Sequence, residues 1–125
     1  MTALATFARL YVRDLDAALA ALAASGITNV RLRFGHAAGL QLVLVGDVLV
    51  IVGSDDMLEP FRTTDLTVIV DDLDDAISAA QAAGARVIRE PAAQAVGRNV
   101  TVAFAAGPVV EYVEWNDDTR QTAGP

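Results

Sequence analysis

The chain has 125 residues, of which 54% are hydrophobic, and its formal net charge is −7. This length suits one domain spanning residues 1–125, and the hydrophobic content excludes a disordered chain. The absence of cysteine excludes disulfides and thiolate metal sites. The acidic balance argues against a nucleic-acid partner, and the strand-length apolar runs argue against a membrane span. With no signal-peptide pattern at its start, we expect a cytoplasmic protein.

The first elements form a βαβββ pattern over residues 4–53. An alternating strand, "ATFARLYV", ends at Val12 and is followed by Asp14, a helix N-cap residue. An alanine-rich helix then runs to Gly26, which has the position of a C-terminal glycine. Three further strands are predicted in "TNVRLRF", "LQLVLVG" and "DVLVIVG", with a turn at Gly46 and Asp47 between the last two.

The same pattern returns after a polar linker over residues 54–64, which contains Pro60. Residues 65–116 read as a strand, a helix between Asp72 and Gly84, and three strands ending in "PVVEYVEW". The longer segment "EPAAQAVGR" is expected to be a loop. Residues 117–125 are expected to be a flexible tail.

An internal repeat connects the two halves. Residues 12–26 and 70–84 match at 8 of 15 positions with a constant offset of 58. One such module cannot cover both faces of its sheet. We therefore predict an α+β fold, in which two tandem βαβββ modules form a curved mixed sheet around a cavity, with the helices outside.

The repeated "V-x-D-L-D" and the closing "GPVVEYVEW" resemble the vicinal oxygen chelate superfamily, the group of glyoxalases, bleomycin resistance proteins and extradiol dioxygenases. The resemblance covers about residues 4–116 and implies the glyoxalase/bleomycin resistance fold, a small-molecule ligand and a homodimer. Enzymes of this group hold a divalent metal with four inward side chains. Here those positions fall on Phe7, Val50, Asp65 and Glu111. Since Phe and Val cannot bind a metal, we expect a degenerate metal site and no cofactor.

Strand alternation predicts which side chains face the cavity. The inward set comprises Phe7, Arg9, Tyr11, Val48, Val50, Val52, Asp65, Thr67, Ile69, Glu111, Val113 and Trp115. From this set we take Phe7, Arg9, Tyr11, Val50, Thr67 and Trp115 as ligand-binding candidates. Arg98 and Arg33 would reach the mouth of the pocket or be solvated at the surface. Such a mixture of apolar walls and a few polar groups is typical of an organic-ligand site.

Several roles are left open by the sequence. Arg9 would bind a ligand or pair with Glu111 or Asp65. His36, the only histidine, is predicted in a turn, at the rim of the pocket or as an acid or base. Glu114 points away from the cavity.

The favoured hypothesis is a protein that binds a small organic ligand in the central cavity without a metal. The alternative is a metal-independent enzyme of isomerase, cyclase or lyase type. Asp65 or Glu111 would be its acid or base, because two close carboxylates shift each other's pKa. A metal-dependent glyoxalase or dioxygenase is disfavoured by the single histidine. A homodimer without any ligand is also compatible with the sequence.

Overall fold

The computed structural model describes residues 1–124. Its strands are β1 (Ala3–Val12), β2 (Val30–Gly35), β3 (Gln41–Val45), β4 (Val48–Val52), β5 (Leu66–Val70), β6 (Arg86–Gln94), β7 (Gly97–Ala103) and β8 (Val109–Trp115). The helices are α1 (Leu15–Ala24), α2 (Asp55–Leu58), α3 (Leu73–Ala82) and α4 (Asp117–Ala123), with a 3-10 turn at Glu59–Phe61. No helix within residues 1–124 is long and apolar enough to cross a bilayer.

All eight strands belong to one curved mixed sheet, in the order β2-β3-β4-β1-β5-β8-β7-β6. The two modules join where β1 and β5 pair in antiparallel orientation, with Phe7 opposite Thr67. Within each module the first and last strands pair in parallel. The predicted α+β fold of two βαβββ modules is confirmed.

Local sequence explains where the two long helices begin and end. Asp14 accepts a hydrogen bond from Ala17 N, and Asp72 accepts one from Asp75 N, both at 3.0 Å. These are the predicted N-caps. Gly26 and Gly84 follow the C-caps with φ of 84° and 92°, a backbone conformation that glycine adopts without steric cost.

Three apolar clusters hold the layers together. The inner cluster lies inside the curve of the sheet and contains Phe7 and Trp115, whose ring centroids are 5.9 Å apart. The second cluster packs α3 onto the outer face of the second module, and the third packs α1 onto the outer face of the first. The sheet therefore has a core on each face, and the inner one borders the cavity.

Residues 117–123, expected as part of a flexible tail, form helix α4. Asn116 accepts a hydrogen bond from Thr119 N at 2.9 Å and caps the helix. Thr119 and Ala123 are buried, and Arg31 Nε donates to the Ala123 carbonyl at 2.8 Å. The local cap and the buried face explain why this segment is ordered.

The predicted loop in "EPAAQAVGR" is also different in the structure. Strand β6 continues to Gln94, and a two-residue turn leads to Gly97 at the start of β7. Pro91 is tolerated because β6 is an edge strand. Gly97 has φ of 150°, and a Cβ there would clash with the Glu114 carbonyl oxygen.

Candidate functional site

A narrow cavity of about 50 Å³ opens inside the curved sheet. Its lining comes from both modules and comprises Phe7, Leu32, Phe34, His36, Leu42, Leu44, Leu49, Thr67, Ile69, Gln94, Val96, Gly97, Arg98, Asn99, Glu111, Val113 and Trp115. Most of these side chains are apolar. The inner cavity thus favours a small ligand with an apolar body.

An outer, more polar chamber adjoins this inner cavity. Both spaces are bordered by His36, Gln94, Asn99 and Glu111. The outer chamber adds Phe61, Arg89, Glu90, Ala92, Val100 and Thr101. The first module therefore contributes mainly leucine and phenylalanine side chains, whereas the second module contributes the hydrogen-bonding groups.

Glu111 lies at the boundary between these two spaces and has three hydrogen-bond donors. Its Oε1 accepts from Arg9 Nη1 at 3.1 Å and from Thr67 Oγ1 at 3.0 Å. Its Oε2 accepts from Asn99 Nδ2 at 3.0 Å. The side chain is 19% exposed and that of Arg9 only 5%. The pairing of Arg9 with Glu111, one of the two roles left open for Arg9, is the one observed.

Arg9 is fixed from its other side by Tyr11. Arg9 Nε donates to Tyr11 Oη at 2.7 Å, and that hydroxyl lies 2.6 and 2.7 Å from the carbonyl oxygens of Phe61 and Thr64. Tyr11 thereby connects the segment between the modules to the charged pair. Arg9 and Tyr11 support the site from behind, and neither lines the cavity.

The prediction that Val50 faces the cavity is wrong. Val50 packs under α1 with Val43 and Val45, and its neighbour Leu49 lines the cavity. The sequence alignment matched Gly46 with Gly107, but the β3–β4 turn has two residues and the β7–β8 loop has five. The difference in hairpin length shifts β4 by one residue, which reverses its faces. Val48 and Val52 consequently also pack toward α1.

The predicted convergence of Asp65 with Glu111 is not observed. Asp65 precedes β5, is exposed, and its Oδ2 accepts a hydrogen bond from Val109 N at 2.8 Å. It does not line the cavity. Its carboxylate joins the ends of β5 and β8. Of the two predicted carboxylates, only that of Glu111 therefore lies at the site.

The predicted arginines at the mouth do not direct their charges inward. Arg98 borders the cavity, but its Nη2 lies 3.3 Å from Asp74 of α3. Arg33 pairs with Val43, a residue of the outer face, and is exposed. His36 does lie at the rim, where its Nδ1 accepts from Ala38 N and its ring meets Phe61 edge-on at 5.4 Å.

Sequence reasoning missed Asn99 and Thr101, which share the inward face of β7 with Glu111 of β8. Thr101 lies opposite Glu111 and is 3% exposed. It also borders the outer chamber. The alternation of polar and apolar residues in "NVTV" is a period-two signal that would have placed both on the cavity face.

The residues present do not fit a divalent metal at the positions that the resemblance implies. Phe7 is buried against Trp115, Leu49 replaces Val50 at the cavity, and Asp65 is turned to the backbone. Glu111 is already bound by a guanidinium. Within the described part of the chain, no three His, Cys, Asp or Glu side chains are grouped so that they could hold a metal ion.

The fold is shared with several solved structures. A crystal structure of an uncharacterised protein from Methanosarcina mazei is 39% identical, with a TM-score of 0.85, over 93% of this chain and 95% of that chain. The methylmalonyl-CoA epimerase from Mycobacterium tuberculosis is 18% identical, with a TM-score of 0.73, over 96% and 92% of the two chains. A Streptomyces coelicolor methylmalonyl-CoA epimerase variant in complex with 2-nitronate-propionyl-CoA is 17% identical, with a TM-score of 0.71, over 100% and 99%.

No family model and no curated protein matches the sequence. The epimerases are enzymes of the vicinal oxygen chelate superfamily, and their likeness to this chain is one of fold. The likeness to the archaeal protein is one of sequence as well. The chain therefore belongs to the family of the Methanosarcina mazei protein and has the fold of the vicinal oxygen chelate superfamily.

Proposed function

We propose that this protein binds a small organic ligand in its central cavity and does so without a divalent metal. The observation that carries this proposal is the position of Glu111, held by Arg9, Thr67 and Asn99 where the apolar cavity meets the polar chamber. An apolar space with a few fixed polar groups is the usual composition of a small-molecule site. The residues at the expected metal-ligand positions argue against the other hypothesis, a metal-dependent glyoxalase or dioxygenase.

The hydrogen-bond inventory indicates which ligand would suit the site. An ionised carboxylate has about four acceptor positions, and three donors reach Glu111. One acceptor position is left on this carboxylate, whose residue lies opposite Thr101 in the sheet. A ligand with an apolar body and one donating group, such as an ammonium or a hydroxyl, would satisfy this acceptor position. The net charge of −7 also favours a cationic ligand.

A matched series of three probes tests this proposal: benzylamine, benzyl alcohol and benzoate, titrated by calorimetry and followed by amide NMR shifts. We expect benzylamine and benzyl alcohol to bind, and the affinity for benzoate to be at least tenfold lower. Glu111→Gln should weaken benzylamine by at least tenfold. Glu114→Gln changes a glutamate of the same strand outside the cavity and should leave the affinity unchanged. Equal affinities for all three probes, or no shifts at cavity residues, would refute the proposal.

A second candidate function is a metal-independent enzyme of isomerase, cyclase or lyase type. The open acceptor position on Glu111 favours it, because a general base needs a lone pair that faces the substrate. Asp65 is bound to Val109 N and exposed, so the proposal rests on Glu111. Proton exchange of methylmalonyl-CoA in D₂O, followed by NMR, tests it with a compound named for the structural neighbours. Exchange that is lost in Glu111→Gln would support catalysis, and its absence favours the binding function.

We also propose that the protein is a homodimer formed through the outer face of the central strand. Leu4 and Leu10 of β1 are 50% and 36% exposed there. Helix α1, on the same face, has Asp16 as its one charged residue between Leu15 and Ala24, and a helix that is apolar all round is usually buried. Since no charge interrupts this surface along β1, a second copy of the same chain can cover it without burying an unpaired charge.

A cytoplasmic location likewise stays a proposal.

A further inference from the structure

The guanidinium of Arg9, a permanent cation, lies behind the cavity against Glu111, the last of the four positions that the resemblance assigns to metal ligands. Arg9 and Thr67 occupy equivalent positions in the two modules, 58 residues apart. Their parallel neighbours across the sheet are Leu49 and Glu111, respectively. One of these four symmetric positions therefore carries a negative charge and one a positive charge, and the remaining two are neutral.

The guanidinium of Arg9 meets the needs of this carboxylate directly. Arg9 Nη1 donates to Glu111 Oε1 and also to Thr67 Oγ1 at 2.8 Å. The Thr67 hydroxyl in turn lies 3.0 Å from the same carboxylate oxygen. Glu111 thus has a counter-charge and additional donors, which is what a partly buried carboxylate requires.

Arg9 is also held so that it cannot leave the site easily. Its Nε is bound by Tyr11, whose hydroxyl is bound by the backbone of the inter-module segment. The Arg9 side chain is 5% exposed. A long flexible side chain normally loses much conformational entropy when it is fixed, and here several hydrogen bonds offset that loss.

We infer that Arg9 is the resident cation of this site: its guanidinium neutralises Glu111 in place of a divalent metal and excludes such a metal. Arg9 is a positioning residue, since it acts on a ligand through Glu111. This role rests on the proposed function, because it takes Glu111 as part of a ligand site. It can nevertheless be tested without any organic ligand.

The first test is metal binding by the chelator-stripped wild-type protein, using Mn²⁺, Ni²⁺ and Zn²⁺ in equilibrium dialysis. We expect the wild type to bind at most 0.1 equivalent more metal than the Glu111→Gln variant. One equivalent of metal that is lost in Glu111→Gln would overturn the inference. This result is independent of the benzylamine titrations, so a failure of ligand binding and a failure of this inference can be told apart.

The second test is a double-mutant cycle on the melting temperature. Arg9→Met should lower it, and adding Glu111→Gln should recover at least half of the loss, because no unpaired carboxylate then remains. The matched control is Arg33→Met with Glu114→Gln, two outer-face residues that should act additively. If Arg9→Met does not fold, the double variant should still fold. Additive losses at Arg9 and Glu111, or a double variant that is also unfolded, would overturn the inference.

Discussion

Glu111 and Glu114 are three residues apart on β8, and their side chains lie on opposite faces of the sheet. Glu111 faces the cavity and accepts from Arg9, Thr67 and Asn99. Glu114 faces α3 and accepts a hydrogen bond from Leu73 N at 2.9 Å. One glutamate therefore belongs to the candidate ligand site, and the other stabilises the first turn of a helix.

This second role predicts the effect of removing the Glu114 charge. Glu114→Gln should lower the free energy of unfolding by about 1 kcal/mol, because a charged acceptor at a helix N-terminus is replaced by a neutral one. Urea denaturation measures the change. A loss of benzylamine affinity in the folded variant would contradict the assignment of Glu114 to the outer face.

Thr67 should contribute through its hydroxyl, which lies between Arg9 and Glu111. Thr67→Val keeps the shape of the side chain and leaves both charged partners short of one hydrogen bond. We expect a destabilisation of about 1–3 kcal/mol by urea denaturation. Thr67→Ser keeps the hydroxyl and is the matched control. A loss as large in the serine variant would show that the methyl group, and not the hydroxyl, matters.

Gly97 should be the glycine least tolerant of a side chain. Its φ is 150°, and a Cβ there would clash with the Glu114 carbonyl oxygen, so Gly97→Ala must displace β7 from β8. We expect a loss of about 2 kcal/mol or more in thermal or urea unfolding. Gly35→Ala is the control, since a Cβ there meets no atom within 4 Å. Its effect should stay within about 0.5 kcal/mol.

Acid stability should depend in part on Asp71. The Thr2 backbone N–H donates to Asp71 Oδ1 at 2.6 Å and holds the pKa of this carboxyl below its usual value. A lowered folded-state pKa stabilises the protein above the unfolded pKa of about 4, and this contribution is lost as the pH falls through the folded pKa. The wild type should therefore have a higher free energy of unfolding than Asp71→Asn above about pH 4, and this difference should shrink as the pH falls below about 4. Urea titrations from pH 2 to 7 measure it, and a gap that widens toward low pH would contradict the assignment.

The homodimer proposal predicts that a charge on the outer face of β1 dissociates the protein. Leu10→Asp, at a side chain that is 36% exposed, should yield a monomer in size-exclusion chromatography with light scattering. Arg13→Asp, at an exposed residue beyond the end of β1, serves as the control. A wild-type protein that is monomeric at high micromolar concentration would refute the proposal.

The fold could be predicted because its signals are local and occur twice. Strand alternation, the Asp14 and Asp72 caps and the glycines after α1 and α3 recur at one offset, and all lie where the sequence predicted them. The structure also places Phe7, Thr67, Glu111 and Trp115 at the cavity. Strand alternation is sufficient to place these residues, because no β-bulge or difference in hairpin length changes the face on which they lie.

The remaining site residues depend on features that are not local. Val50 was assigned to the wrong face because hairpin length, and not the position of a turn glycine, sets the register of β4. Asp65 lies one residue before β5, so alternation does not apply to it. Arg98 forms an ion pair with Asp74, 24 residues away, and such a tertiary partner is not visible in the pattern of one strand.

The one-residue shift of β4 has a consequence for the redesign of this protein. A histidine or glutamate introduced at Val50, where the repeat suggests it, would be buried under α1 beside Val43. The accessible position is Leu49, across from Arg9. A metal site designed beside Glu111 would therefore need replacements at both 9 and 49, because Arg9 already pairs with this carboxylate and Leu49 offers no ligand atom.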